Sequence, residues 1–200
     1  MIKTMNNLQN RRIILASTSP RRKEIFEKMR LPFEVKSSDY EEDMSLPMAP
    51  TDLAKHLSLG KAQSVASNNP DSIIVAADTF VVFEGKFLGK PKSKEEAFEM
   101  LKMLCGKEND VVTGVTIIDT KTGQQTSFHE VAKVFMQNYS EEKIKNYIET
   151  GEPMDKAGAY ALQEIGALLV ERIEGDFFNV MGLPLRRLAE ELENFGVKVL

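Results

Sequence analysis

The chain has 200 residues, 42% of them hydrophobic, and its formal net charge is −4. This length and hydrophobic content are enough for one large domain with a buried core. The negative net charge excludes the broad basic surface typical of nucleic-acid-binding proteins, although a nucleotide needs only a local basic cluster. The single cysteine excludes an internal disulfide framework, and no apolar run is long enough to span a membrane.

We therefore expect a cytoplasmic protein that binds neither nucleic acid nor membranes. Residues 1–10 are polar and show no periodicity, which predicts a flexible N-terminal tail. Residues 11–200 contain no internal repeat, low-complexity stretch or clear linker, which predicts a single domain.

The first patterned stretch predicts a strand, a hydroxyl-rich turn and a helix. Residues 13–16 form a short apolar run typical of a buried strand, and Ser19 followed by Pro20 is typical of a helix start. A helix N-terminus presents free N–H groups and the positive end of its dipole, and Arg21 and Arg22 add guanidinium groups suited to phosphate. The pattern predicts a phosphate site. The alternative is that the serine only caps the helix and both arginines are solvated.

Apolar periodicity and turn residues predict an α/β fold with a mixed sheet flanked by helices. No glycine-rich dinucleotide motif follows the first strand, and no Walker A motif occurs. An acidic loop covers residues 39–43, Thr51 or Asp52 is predicted to cap a helix, and a tight hairpin is expected at residues 84–86 after an extended stretch. The predicted strands cover residues 32–37, 72–77, 110–118, 126–136 and 167–173, the later helices cover residues 51–66, 94–104, 141–150 and 185–193, and residues 175–184 are predicted to be a loop.

Asp78 is the first candidate for chemistry, because it follows an apolar strand predicted to end at this point. Sites in α/β proteins commonly form at such strand ends, although an aspartate there can also simply cap a turn. The acidic loop contributes Glu41, Glu42 and Asp43, which are usually solvated in such loops. Combined with Asp78 they could hold Mg²⁺, which prefers a few carboxylates together with substrate phosphates.

Three lysines and a glutamine complete the candidate set. Lys61 lies on a predicted helix and Lys90 follows the hairpin, and neither position alone distinguishes a binding lysine from a solvated one. Lys156 is more unusual, because it lies in a segment of small residues where Gly158 would allow close backbone approach. Gln163 can both donate and accept hydrogen bonds at a base edge.

Several short blocks occur in a fixed order along nearly the whole chain. They are residues 15–22 (Leu-Ala-Ser-Thr-Ser-Pro-Arg-Arg), 77–79 (Ala-Asp-Thr), 89–91 (Gly-Lys-Pro), 113–115 (Thr-Gly-Val), 152–163 (Glu-Pro-Met-Asp-Lys-Ala-Gly-Ala-Tyr-Ala-Leu-Gln) and 182–184 (Gly-Leu-Pro). In this order they resemble the Maf family, whose members are septum-formation-inhibitor-like nucleoside triphosphate pyrophosphatases. The block at 152–163 is the most specific of them.

The resemblance implies hydrolysis of a nucleoside triphosphate between its α and β phosphates, which gives the monophosphate and pyrophosphate. It also implies a divalent metal cation (Mg²⁺ or Mn²⁺), a homodimer, and a two-lobed fold around an elongated mixed sheet, as in inosine triphosphatases. Whether Asp78 acts as a base or mainly as a metal ligand with Glu42 stays open. By the resemblance, the proton acceptor is Asp78, the specificity residues are Arg21, Thr79 and Gln163, and the phosphate-binding residues are Ser17, Arg21, Arg22, Lys61, Lys90 and Lys156.

The branch of the family that this chain resembles predicts the base. The branch associated with dTTP and UTP shares residues 155–160 and Gln163 with this chain, whereas a branch that prefers 7-methyl-GTP has Asn-Cys-Ala-Gly-Ser-Phe in place of residues 155–160. We therefore expect dTTP, UTP or modified pyrimidine nucleotides as substrates. Two alternatives stay open: a non-catalytic regulator of cell division or septum formation, and a pyrophosphatase for 7-methyl-GTP or purine triphosphates.

Overall fold

A computed structural model describes residues 11–200, so the tail predicted over residues 1–10 lies outside the described residues. Within residues 11–200 the chain forms a mixed seven-stranded sheet with helices, which confirms the predicted fold class. The strands are β1 (Arg12–Leu15), β2 (Glu34–Val35), β3 (Ser72–Phe83), β4 (Lys86–Leu88), β5 (Glu108–Asp119), β6 (Gln125–Met136) and β7 (Val170–Glu174). The helices are α1 (Pro20–Glu27), α2 (Pro50–Ala66), α3 (Lys94–Leu104), α4 (Glu141–Glu149), α5 (Phe177–Val180) and α6 (Leu185–Glu193), with short 3₁₀ turns at Glu152–Asp155, Ala157–Ala159 and Ile165–Leu169.

The sheet combines parallel and antiparallel pairs. Its order is β2-β1-β3-β5-β6-β7, and β4 pairs with β3 beside this path. β1 is parallel to both β2 and β3, with Ile13 opposite Ile73, whereas β4 and β7 pair antiparallel with β3 and β6. Parallel neighbours need a crossover connection, and α2 lies in the connection that brings the chain back to β3.

The Cα positions divide the chain into two compact units that alternate along the sequence. Unit 1 contains the residues up to Asp78, Thr113–His129 and Gly182–Leu200, and unit 2 contains Thr79–Val112 and Glu130–Met181. Each unit has its own buried cluster: in unit 1 the cluster joins β1, α2 and β3, and in unit 2 it joins α3, α4 and β6. The prediction of a single domain over residues 11–200 stays a prediction. No helix in residues 11–200 is both long enough and apolar enough to cross a membrane.

Three helices begin after a capping serine, as the sequence predicts for Ser19. The side chains of Ser19, Ser93 and Ser140 accept backbone N–H groups at the first turns of α1, α3 and α4. By contrast, α2 begins at Pro50 after Ala49, with no capping side chain, so the predicted cap at Thr51 or Asp52 is wrong. Proline fits the first helical position because its missing N–H has no partner there in any case.

Other predicted element boundaries also differ from the structure. β3 does not end before Asp78 but continues to Phe83, because Thr79–Phe83 is rich in β-branched and aromatic residues and pairs with β4. The predicted loop at 175–184 contains α5, whose start is capped by Asp176. β7 begins at Val170 rather than Ala167, because the preceding 3₁₀ turn donates two backbone N–H groups to the Glu152 carboxylate.

Candidate active site

The turn between β1 and α1 holds a buried hydroxyl and an arginine in unit 1. Ser17 is 8% exposed, and its Oγ accepts the backbone N–H of Ser19 at 3.3 Å. The Arg22 guanidinium folds back over the same turn: its Nε donates to the carbonyl oxygen of Gly182 at 2.9 Å, and its Nη1 lies 3.5 Å from Ser17 Oγ. The turn, the arginine and the segment at Gly182 therefore form one connected structure.

The electrostatics of Arg22 link this turn to the acidic residues of unit 1. Partial burial lowers the pKa of the Arg22 guanidinium, the charges of Asp78 and Glu42 oppose that effect, and the charge of Arg21 adds to it. Two arginines and two carboxylates consequently lie within electrostatic range of one another. We call these four residues together with Lys61 the charged cluster; its members are Arg21, Arg22, Glu42, Lys61 and Asp78.

Lys61 is the centre of the charged cluster. From α2 its ammonium forms an ion pair with Asp78 on β3 and a second one with Glu42 Oε1 at 2.7 Å. The Asp78 and Lys61 side chains are only 7% and 12% exposed, whereas that of Glu42 is 46% exposed. A buried carboxylate requires a partner of opposite charge, which explains how β3 can continue through Asp78 without ending there.

The donor set around Lys61 fits a divalent cation. Two carboxylates converge on one positive charge, and Mg²⁺ is typically bound through one or two carboxylates plus substrate phosphates. Residues 11–200 contain no group of three or more histidine, cysteine, aspartate or glutamate side chains arranged to hold a metal without such help. Glu42 and Asp78 are therefore the residues that would hold the ion, together with a phosphate ligand.

The remaining predicted site residues belong to unit 2. Lys156 is only 7% exposed and forms an ion pair with the exposed Asp155, whereas Lys90 is exposed. The N–H of Gly158 donates to the carbonyl oxygen of Gly89 at 3.1 Å, so the two lysine-bearing segments are joined through their backbones.

The prediction of a close backbone approach at Gly158 is confirmed, since its φ is +70° and an added Cβ would lie 3.0 Å from Val81 Cγ2. Thr79 and Gln163 are both half-buried. Along β3, Asp78 is the last residue of unit 1 and Thr79 is the first residue of unit 2.

Sequence reasoning missed three residues that shape the site. The carbonyl of Gly182 anchors Arg22, and the Tyr40 ring lies against Gly60, one residue before Lys61. A glycine in the middle of the α2 pattern was the available signal, because a helix interior tolerates glycine poorly unless something approaches closely there.

Comparison with known proteins identifies the family. The family model described as "Maf-like protein" matches residues 12–195. The chain belongs to the Maf family. Among other Maf-related sequences, a Methanosarcina mazei protein named "dTTP/UTP pyrophosphatase" is 50% identical over 190 residues, which cover 94% of this chain and 96% of that protein. A Bacillus cereus protein with the same name is 44% identical over 189 residues, covering 94% of this chain and 98% of the relative.

Solved structures with a similar fold are more distant in sequence. The Staphylococcus aureus Ham1 protein matches with a TM-score of 0.50 at 15% identity, over 92% of this Maf chain and 99% of the Ham1 chain. A HAM1 protein from Coxiella burnetii gives the same TM-score at 13% identity, over 92% of this chain and 98% of its own. At this identity the likeness concerns the fold alone.

Proposed function

We propose that this chain hydrolyses dTTP and UTP to the nucleoside monophosphate and pyrophosphate. The observation that carries the proposal is the buried Asp78 carboxylate, paired with Lys61 and within electrostatic range of Arg22. The names of the Maf relatives at 44–50% identity, each "dTTP/UTP pyrophosphatase", support the substrates. A purely regulatory protein would have no need for a buried carboxylate among clustered cations.

The charged cluster suggests how the chain would carry out the reaction. Arg21 and Arg22 would neutralise phosphate oxygens, and the backbone N–H groups at the start of α1 would bind a further oxygen. Asp78 would accept a proton as a water oxygen bonds to the α-phosphorus and the bond from that phosphorus to the bridging oxygen breaks. Pyrophosphate then leaves with the bonding electrons on its oxygen.

A divalent cation held by Glu42 and Asp78 would supply charge neutralisation at the phosphates and at the leaving group. Lys61 would then move from its ion pairs with those carboxylates to a phosphate oxygen. The choice between Asp78 as base and Asp78 as metal ligand remains part of the proposal. The assignment of Lys90 and Lys156 to phosphate binding, and of Thr79 and Gln163 to base specificity, rests on the family resemblance.

The test is pyrophosphate release from dTTP, UTP, CTP, ITP, GTP and 7-methyl-GTP with Mg²⁺, with Mn²⁺ and without metal. We expect turnover of dTTP and UTP that requires metal and falls at least about 100-fold in Asp78→Asn, the lower range for loss of a general base. Asp71→Asn is the matched control, because Asp71 is exposed and forms an ion pair with the exposed Lys121 on the surface of unit 1.

Each outcome of this panel decides a different part of the proposal. Turnover confined to 7-methyl-GTP would retain the reaction and refute the base assignment. If the folded protein, supplied with metal, turns over none of the nucleotides, the proposed pyrophosphatase activity is refuted and a regulator of septum formation is favoured. A cytoplasmic location is also proposed from the composition of the chain, and a homodimer from the family resemblance. Light scattering after size-exclusion chromatography tests the dimer.

A further inference from the structure

The acidic loop lies along α2 in unit 1 and does not simply extend into solvent. Its backbone N–H at Asp39 donates to Ser64 Oγ at 3.2 Å, and Glu42 reaches Lys61 at 2.7 Å. Between these two ties, the Tyr40 hydroxyl lies 3.4 Å from His56 Nε2. Residues 39–42 therefore contact more than two turns of the helix.

The closest of these contacts is that of the Tyr40 ring with Gly60. A Cβ added at Gly60 would lie 2.3 Å from Tyr40 Cε2, 2.4 Å from Cζ and 2.7 Å from Cδ2. No side chain other than hydrogen fits between the ring and the helix. Glycine in a helix interior is less favourable than alanine, so the ring contact supplies a reason for glycine at this position.

The position of this contact relates it directly to the charged cluster. Gly60 immediately precedes Lys61, and Tyr40 precedes Glu42 by two residues. A ring held on Gly60 fixes the loop backbone two residues from the carboxylate that pairs with Lys61. The Glu42 side chain is 46% exposed, so water screens its ion pair with the largely buried Lys61 from one side, whereas a packed ring contact is not screened in this way.

We propose that Tyr40 is a positioning residue, which holds Glu42 at Lys61 by placing its ring on Gly60 of α2. Its effect on catalysis rests on the proposed pyrophosphatase function, whereas its effect on the loop does not. Loss of the ring contact releases the acidic loop from the helix. Of the two carboxylates that pair with Lys61 in residues 11–200, Asp78 then stays, and the carboxylate that would share a metal with Asp78 is no longer in place.

The first experiment measures the loop without using activity. A glutamate-specific protease cleaves after Glu41 or Glu42, and mass spectrometry identifies the cut. We expect cleavage about tenfold faster in Gly60→Ala and in Tyr40→Ala, because cleavage follows the population of locally opened chain. Tyr40→Phe keeps the ring and should stay within about twofold of the wild type, since the long hydroxyl contact contributes little.

The double variant Tyr40→Ala/Gly60→Ala separates the ring contact from any general effect on α2. If the added methyl group accelerates cleavage only by displacing the ring, it causes no further acceleration in a chain that lacks the ring. The double variant is then cleaved at the same rate as Tyr40→Ala. Gln63→Ala, an exposed position on the same helix, controls for helix propensity and should cleave as the wild type does. Unchanged cleavage in Gly60→Ala, or the same acceleration by the methyl group with and without the ring, would overturn the proposal.

The second experiment measures pyrophosphate release from dTTP by the same variants. We expect kcat/KM to fall about tenfold in Gly60→Ala and Tyr40→Ala and to stay near wild type in Tyr40→Phe, in keeping with the cost of small misplacements at a reacting centre. Faster cleavage of the acidic loop in Gly60→Ala and Tyr40→Ala with unchanged kcat/KM would overturn the proposed effect of Tyr40 on catalysis. A wild type without activity whose variants still show the cleavage pattern would refute the pyrophosphatase function and leave the positioning of the loop standing.

Discussion

Gly114 is the position where one added methyl group should damage both the stability of unit 1 and its site. It lies on β5, and a Cβ built there would be 2.1 Å from both the carbonyl carbon and the carbonyl oxygen of Ala54 on α2. Ordinary contact begins at 3.4 Å, so Gly114→Ala requires a displacement of about 1.3 Å. The opposing atoms belong to a helix backbone, which cannot rotate away as a side chain can.

The expected cost follows from that geometry. Overpacking usually costs about 1–3 kcal/mol, and a clash with backbone atoms places Gly114→Ala at the upper end, about 3 kcal/mol in the free energy of unfolding. Because α2 also carries Lys61, a shift of this size should lower kcat/KM for dTTP by about 100-fold in the fraction that folds.

Urea unfolding followed by circular dichroism, together with the pyrophosphate assay, measures both effects. Gly123→Ala is the matched control, since Gly123 also lies in unit 1, has a φ of +77°, and an added Cβ there would have no atom of residues 11–200 within 4 Å. It should lose about 1 kcal/mol from backbone strain alone and keep its activity. A loss below about 1 kcal/mol in Gly114→Ala, with full activity, would refute the close contact between β5 and α2.

Two further predictions concern charges of unit 1. Lys61→Met leaves Asp78 buried without its ion-pair partner and should lower the free energy of unfolding by about 2–3 kcal/mol at pH 7. Lys55→Met removes a more exposed ion pair and should lower it by less than about 1 kcal/mol. Equal losses for the two variants in urea unfolding would contradict this prediction. Burial raises the pKa of Asp119, but hydrogen bonds from Arg11 and from backbone N–H groups outweigh that effect and lower the pKa from 3.8 to about 2. Asp119 therefore contributes about 2 kcal/mol to the free energy of unfolding above about pH 4, and this contribution is lost as the pH falls toward 2. In acid unfolding curves, Arg11→Leu should lose less stability over this pH range than the wild type does.

The parts of the fold that sequence reasoning predicted depend on local signals. The strand, turn and helix from Arg12 to Glu27 follow from an apolar run, a capping serine and a proline that lie next to one another. α6 begins and ends where its apolar periodicity does, at Leu185 and Glu193. Such elements can be predicted because the residues that determine them are neighbours in the chain.

The features that were missed depend on partners that are distant in sequence. Asp78 looked like a strand terminator because its partner, Lys61, lies 17 residues earlier on another element. Tyr40 looked like part of a solvated acidic loop, since its contact with Gly60 becomes visible only when the loop lies along α2. The candidate site was predictable by residue type and by family resemblance, whereas the ion pairs that hold it required the folded chain.

The interleaving of the two units along the sequence has a consequence for how the protein matures during synthesis. The hydrogen bond from Arg22 to the carbonyl of Gly182 joins residues 160 positions apart, and every residue of unit 2 is made before Gly182. At about 5–20 residues per second, roughly 8–32 s separate translation of the two partners. The guanidinium proposed to bind phosphate therefore reaches its final geometry only after unit 2 has been translated, so a nascent chain that already contains Asp78 and Lys61 is not yet a complete enzyme.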